Sequence, residues 1–221
     1  MQFKASQQII DSNQPPTSSQ PIGHNDEQFV QPQMPSGAGK AGGMFAISNF
    51  DMNDLYHINT INLDPYTETY GLHFYIQYMG GRLPFVFYKA CDEHGRMAGY
   101  LMGKLEGEGE QYHGHITAIT VGVDFRRQGV AKQLMAKFEE ICISHNCYFI
   151  DLFVRISNKV AVGMYSAMGY AVYQQIIEYY SGENSEDAYD MHKALPADKE
   201  RKSMIPKSRP VTVAEAFGEF Y

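Results

Sequence analysis

The sequence predicts an α/β fold of the α+β kind: about seven strands in one mixed central sheet, with helices on both faces. Three observations predict it. Residues 148–154 form a nearly continuous apolar run bounded by polar residues, as in a parallel strand buried on both faces. Ahead of it, Val130, Leu134, Phe138 and Ile141 recur at helical spacing. Before that helix, residues 115–123 alternate Thr117, Ile119, Val121 and Val123 with Ile116, Ala118 and Thr120, so both faces are fairly apolar, which suits a central strand.

Residues 1–43 hold many Gln, Ser, Pro and Gly and few large apolar side chains. Such a segment cannot offset its ordering entropy and is expected to be disordered. Within it, Gly37-Ala38-Gly39-Lys40 lacks the Ser or Thr and the preceding strand that a P-loop requires. Met44 opens the folded part, expected over 44–195, and is itself a candidate start. Phe45-Ala46-Ile47 reads as a short strand. Ser48 or Asp51 can cap a helix carrying Leu55 and Ile58. Asp64-Pro65 marks a turn, and a second helix follows over 68–79 with Tyr70, Phe74, Tyr75 and Tyr78 on one side. Residues 84–88 and 97–104 form strands around the turn Asp92-Glu93-His94-Gly95. The long helix from Val130 ends near His145-Asn146, where Asn can take a left-handed cap. A shorter helix carries Val160, Ala161, Met164, Tyr165 and Met168 on one stripe and stops at Gly169. Residues 170–179 and 188–191 close the sheet as a hairpin around a polar loop. The polar tail, 196–221, holds five basic residues and one acid between Lys199 and Arg209; it reads as solvated, with a partner or ribosome contact as the sharper alternative.

Composition excludes several classes. The chain has 221 residues, 44% of them apolar, enough for one ordinary domain with a sizeable core. A net charge of −7 lacks the basic excess of a nucleic-acid binder. No apolar run reaches the roughly 18 residues of a membrane span, and the N-terminus lacks the apolar stretch of a signal peptide. Cys91, Cys142 and Cys147 show no CxxC pairing and read as reduced structural thiols in a cytosol-like compartment. With 16 Tyr, the chain is equipped to line ligand grooves with rings that carry a polar tip.

The chemistry starts at Arg126-Arg127-Gln128-Gly129-Val130-Ala131, between the central strand and the long helix. A helix N-terminus presents unpartnered N–H groups and partial positive charge, and anions bind there. Gly129 lets the backbone approach a phosphate closely, and small Ala131 keeps the next turn clear. Two arginines at a helix N-terminus oppose the macrodipole and need a compensating anion, which a pyrophosphate supplies.

This R-x-x-G-x-A run resembles the acetyl-CoA pattern of the GNAT acetyltransferases. The run Asn158-x-x-Ala161-x-x-x-Tyr165-x-x-x-Gly169-Tyr170 resembles a second feature of that superfamily. Longer blocks are similar to the catalytic subunits of NatB-type N-terminal acetyltransferases: Asn62-Leu63-Asp64-Pro65-Tyr66-Thr67-Glu68-Thr69-Tyr70-Gly71, His113-Gly114-His115-Ile116-Thr117-Ala118, Asp151-Leu152-Phe153-Val154-Arg155-Ile156-Ser157-Asn158, Ile177-Glu178-Tyr179-Tyr180 and Asp187-Ala188-Tyr189-Asp190-Met191. The likeness spans about residues 44–207. It implies a GNAT fold and acetyl transfer from acetyl-CoA to the α-amine of nascent chains beginning Met-Asp, Met-Glu, Met-Asn or Met-Gln. It also implies a cytoplasmic, ribosome-associated enzyme working with a large helical-repeat auxiliary subunit.

The resemblance further implies site residues. Val121, Val123 and the run from Arg126 to Ala131, with Gln128 and Val130, would hold acetyl-CoA. Tyr165 would be the general acid for the leaving thiolate, and Asn158 would bind coenzyme A or a nearby water. Glu68, Tyr70, His115, Thr117, Tyr179 and Tyr180 would form the peptide groove, with His115 and Thr117 reading the second residue. No residue stands out as general base, and no metal is expected; His113 and His115 as a metal pair lack a nearby carboxylate in sequence. Val123 stands where the family commonly has Pro, and Gly163 where it often has Asn. Leu55, Ile58, Leu72 and Tyr75 would dock the partner or be plain core. The other readings are a GNAT acting on lysine side chains or small amines, and a non-catalytic acyl-CoA-binding subunit.

Overall fold

The computed structural model describes residues 45–63, 67, 69–79, 83–182 and 185–218. The expected disorder over 1–43, the question of Met44, the Asp64-Pro65 turn and Glu68 lie outside the described residues. One eight-stranded mixed sheet runs in the order β1-β2-β3-β4-β5-β7-β6-β8. Its strands are β1 Ala46–Asn49, β2 Phe85–Cys91, β3 Met97–Glu106, β4 His113–Val121, β5 Phe149–Arg155, β6 Ala171–Tyr180, β7 Glu186–Ala194 and β8 Val211–Thr212.

The helices lie on both faces, as expected. On one face sit α1 (Leu55–Ile61) and α2 (Leu72–Met79); on the other sit α3 (Val130–Ser144) and α4 (Lys159–Ala167). The alternation of β3 serves both: Leu101 and Leu105 join the core beneath α3 and α4, while Tyr100 and Met102 join Phe50, Ile58, Phe74, Tyr78 and Phe87 beneath α1 and α2. Asp51 begins the first helical segment through a capping box with Asp54 over a short 3-10 turn. Helix α2 starts at Leu72, later than the expected residue 68. Helix α3 buries Val130, Leu134, Met135, Phe138 and Cys142, one side at i, i+4 spacing. It packs closely because Gly103 and Gly114 leave room where the Phe138 ring lies on the sheet. Asn146 ends it in the left-handed region at φ 57.

Strands β4 and β5 are parallel, and their pairing covers only His113–Ile116 against Phe149–Leu152. Beyond that point β4 continues beside β3 to Val121, and β5 continues beside β7 to Arg155. The sheet therefore splits at its middle, at the carboxyl ends of two parallel strands, which is where ligands of open α/β sheets bind.

Two expectations are corrected here. Strand β4 ends at Val121, so Val123 is no strand edge. Gly122 donates its N–H back to Ala98 at 2.9 Å, and Val123 opens a 3-10 turn and is 63% exposed. The segment after Leu195, expected as a plain solvated tail, is largely exposed over 199–210 yet carries its own local structure. Asp198 accepts hydrogen bonds from the backbone of Lys202 and Ser203 (both 2.9 Å), β8 adds to β6 in parallel, and a short helix α5 (Val213–Phe217) follows.

Candidate active site

One cleft follows the split and joins both groups of predicted residues. It is lined at one end by Arg126, Arg127, Gly129, Val130, Ala131, Asn158 and Tyr165, and at the other by Tyr70, His115, Thr117, Tyr179 and Tyr180, with Val121 on its β4 wall. Val123 and Gln128 do not line it. Gln128 instead donates its side-chain amide to the carbonyl of Asp124 at 2.9 Å, which closes the turn.

The anion end is built from backbone. Arg127 (φ 64) and Gly129 (φ 87) both take left-handed conformations just before α3. Such alternation turns successive N–H groups to one side, making a concave anion seat at a helix N-terminus. Gly129 is needed for its φ, because a side chain would be strained there. Arg126 Nε donates to the Val121 carbonyl at 3.3 Å, which holds its guanidinium along the strand end.

Asn158 caps α4: its Oδ1 accepts from the Ala161 N–H at 3.1 Å, leaving the amide NH2 as its donor group. Tyr165, two turns along, is buried, and burial pushes its phenol well above the ordinary tyrosine range. It therefore keeps its proton until a strong acceptor appears. Gly163, on the same helix, lines the cleft with open space where a Cβ would stand.

The other end is built from side chains of several elements. Thr117 Oγ1 is 2.8 Å from the Tyr78 hydroxyl, and the Tyr70 hydroxyl donates to the Thr117 carbonyl at 3.4 Å. Tyr179 and Tyr180 follow a bulge in β6 centred on Glu178, whose φ is 52. The Tyr180 hydroxyl donates to the Phe153 carbonyl at 3.3 Å, with the Arg155 guanidinium 4.0 Å from its ring. His115 Nδ1 lies 3.0 Å from Asp151 Oδ1, and both side chains are nearly buried.

Sequence reading missed the carboxylate beside the histidines. Asp151 Oδ1 is also 3.6 Å from His113 Nε2. Burial alone would push the Asp151 carboxyl up, but His115, then His113 and His192, outweigh it and hold it well below the carboxylate range. Asp190, 3.0 Å from His192 Nε2, moves the opposite way, driven up mainly by burial. His192 faces acceptors from both nitrogens, since its Nδ1 is 2.8 Å from the Ser203 carbonyl. The donor atoms of Asp151, Asp190 and His192 lie within 4.8 Å of one another. The close His192–Asp190 approach makes the trio read as an ion-paired network, with Asp190 Oδ1 left without a hydrogen bond. Also missed was Phe217 of α5, whose ring packs on Phe153 (5.6 Å) and Tyr179 (6.3 Å) at the groove wall. The β4–β5 register places Asp151 opposite His115; that pairing was the only available signal, and it is invisible without the sheet.

The comparisons agree with one another. The acetyltransferase (GNAT) family model matches residues 52–170. The N-terminal acetyltransferase B complex catalytic subunit of Arabidopsis thaliana is 47% identical over 173 residues, covering 78% of this chain and 98% of that protein. The crystal structure of the like-named subunit of Chaetomium thermophilum, in complex with a bisubstrate analogue, superposes with a TM-score of 0.69 at 34% identity, covering 78% of this chain and 99% of that one. A structure of the NatB acetyltransferase complex bound to CoA and MES gives a TM-score of 0.61 at 39% identity over 68% of this chain and 99% of that one.

Proposed function

The chain belongs to the acetyltransferase (GNAT) family and, within it, to the catalytic subunits of the N-terminal acetyltransferase B complex, and on that premise we propose how its cleft does the chemistry. It is an N-terminal acetyltransferase with acetyl-CoA as co-substrate and works in a complex with a partner subunit. Its substrates are nascent chains beginning Met-Asp, Met-Glu, Met-Asn or Met-Gln. The observation that carries the reading is the split between β4 and β5, which joins the anion seat and the His115–Thr117 wall in one cleft.

The seat at residues 126–131 holds the pyrophosphate, by backbone N–H groups and the two arginines. The edge of β4 beyond Ile116, which β5 does not pair, takes the pantetheine amides as an added strand would. Acetyl-CoA supplies an activated thioester. An α-amine of pKa near 8 keeps a neutral fraction at cellular pH, so no strong base is required. As the amine adds and the carbon–sulfur bond breaks, Tyr165 delivers its proton to the departing thiolate, and the proton shed by the new amide nitrogen passes to solvent, from which the phenol is restored. Asn158 orients the cofactor end with its amide NH2. Tyr70, Tyr179 and Tyr180, with Glu68, grip the peptide backbone, while His115 and Thr117 receive the second side chain.

A large helical-repeat auxiliary subunit covers the outer face of α1 and α2. There Tyr56 (84% exposed), Leu72 (58%) and Ile76 stand in solvent, whereas Ile58 and Tyr75 are core. Through it the enzyme reaches the ribosome in the cytoplasm. No helix among the described residues is long and apolar enough to cross a membrane.

A peptide panel tests the reading. Met-Asp and Met-Glu peptides should be acetylated far faster than Ser- or Ala-starting ones and than lysine side chains. Equal rates would refute the substrate assignment.

A further inference from the structure

His115 and Asp151 are a buried pair on adjacent parallel strands, opposite each other one rung before the last pairing at Ile116 and Leu152. Nδ1 of His115 faces the Asp151 carboxylate at 3.0 Å, so it carries a proton and donates it. The other nitrogen, Nε2, is left for the cleft that His115 lines. A neutral ring protonated at Nδ1 would offer only a lone pair there, which repels a carboxylate and accepts from an amide. A ring protonated at both nitrogens offers a donor, with Asp151 as its buried counter-ion.

We infer that Asp151 is a positioning residue that fixes His115 as a doubly protonated donor, so that the subsite favours an anionic second residue over its amide. This rests on the assignment of His115 to the second-residue subsite. The charged groups around His115 are consistent with it. Asp151 of β5 and Glu106 of β3 favour the imidazolium, whereas Lys104 of β3 opposes it and is itself paired to Glu106 at 2.5 Å. His113, its neighbour on β4, is turned to the Gln111 carbonyl at 2.6 Å. Across the network, His192 and Asp190 of β7 form their own pair. Burial works against the charged ring, yet the carboxylates outweigh it, and the net direction for His115 is upward.

The sign follows. A group with a raised pKa keeps its proton below that value and loses it as pH rises through it. Selectivity for the anionic residue is therefore present below that raised value and lost as pH rises through it. A His115 that holds its proton is also a poor general base, so its charge serves recognition rather than proton removal.

The test uses the full-length subunit in its complex and two peptides identical but for Met-Asp or Met-Asn. The ratio of their kcat/KM values is measured from about pH 6 to about pH 9, above the range where the peptide's own carboxyl titrates. Ionisation of the α-amine cancels in the ratio. The ratio should fall about five- to tenfold as pH rises, the difference between a charge-assisted and a neutral hydrogen bond. Asp151→Asn should lower the ratio at neutral pH and move the fall to lower pH. A flat wild-type profile overturns the inference whether or not Asp151→Asn folds, and so does a folded Asp151→Asn with the wild-type profile. His115→Ala separates the premise. If it keeps full preference for the acidic residue, the subsite assignment itself fails; if it loses that preference while the wild-type profile is flat, only the role of Asp151 falls.

Discussion

The two ends of the cleft are made differently. The proposed anion seat is contiguous in sequence, spanning residues 126–131, and would work through backbone N–H groups set by two left-handed residues, with Arg126 and Arg127 beside them. The peptide end draws Tyr78 from α2, His115 and Thr117 from β4, Asp151 and Phe153 from β5, Tyr179 and Tyr180 from β6, and Phe217 from α5. A seat made of main chain takes any substrate carrying the same phosphates. A wall made of side chains discriminates, because each can be changed without moving the others. The molecule thus separates what every turnover shares from what selects the protein to be modified.

Variants should respect that division. Tyr165→Phe, which removes the proposed acid, should lower kcat by about 10²-fold or more with the KM for either substrate little changed; steady-state kinetics read this, and an unaltered kcat would remove the role. Gly129→Val forces a β-branched residue into a left-handed conformation at a cost of about 1–2 kcal/mol. It should raise the KM for acetyl-CoA about tenfold while leaving the ranking of peptides intact. A change in that ranking would break the comparison. Thr117→Val keeps shape but loses the hydroxyl 2.8 Å from Tyr78. It should cost about fivefold in kcat/KM for preferred peptides, with the acetyl-CoA KM unchanged. The smallest effect belongs to Gly163→Ala on α4, where an added Cβ meets nothing within 4 Å. Helix propensity should raise stability by about 1 kcal/mol, read as a gain of about 2–4 °C in Tm, with neither end of the cleft altered.

The same division explains what the sequence disclosed. Helix α3, its Asn146 stop and the seat before it were legible because spacing and caps act over a few residues. Strands β2 to β7 were legible from apolar runs and turn residues, though β4 was placed two residues late, at 115–123 rather than His113–Val121. Gly122 ends it through a hydrogen bond to Ala98, a partner on another strand. The His115–Asp151 pair and the His192–Ser203 contact join residues 36 and 11 apart, and only the folded sheet and the turn at Lys202–Met204 packed on it bring them together. The local order of the exposed arm after Leu195 was hidden by its polar composition. Its order comes from Asp198, which binds two backbone N–H groups and the Ser203 hydroxyl, and from the addition of β8 to β6.

The split between β4 and β5 has a consequence for the life of the molecule. It places a strand edge that no neighbouring strand covers beyond Ile116 in the interior of a sheet rather than at its rim. Whatever completes that edge binds the folded chain and not the unfolded one. Such a ligand stabilises by about 2.7 kcal/mol when present at about one hundred times its dissociation constant. The fraction of this enzyme that survives heat or proteolysis should thus rise and fall with the supply of its acetyl donor, so that a starved cell would hold a more fragile enzyme as well as a slower one.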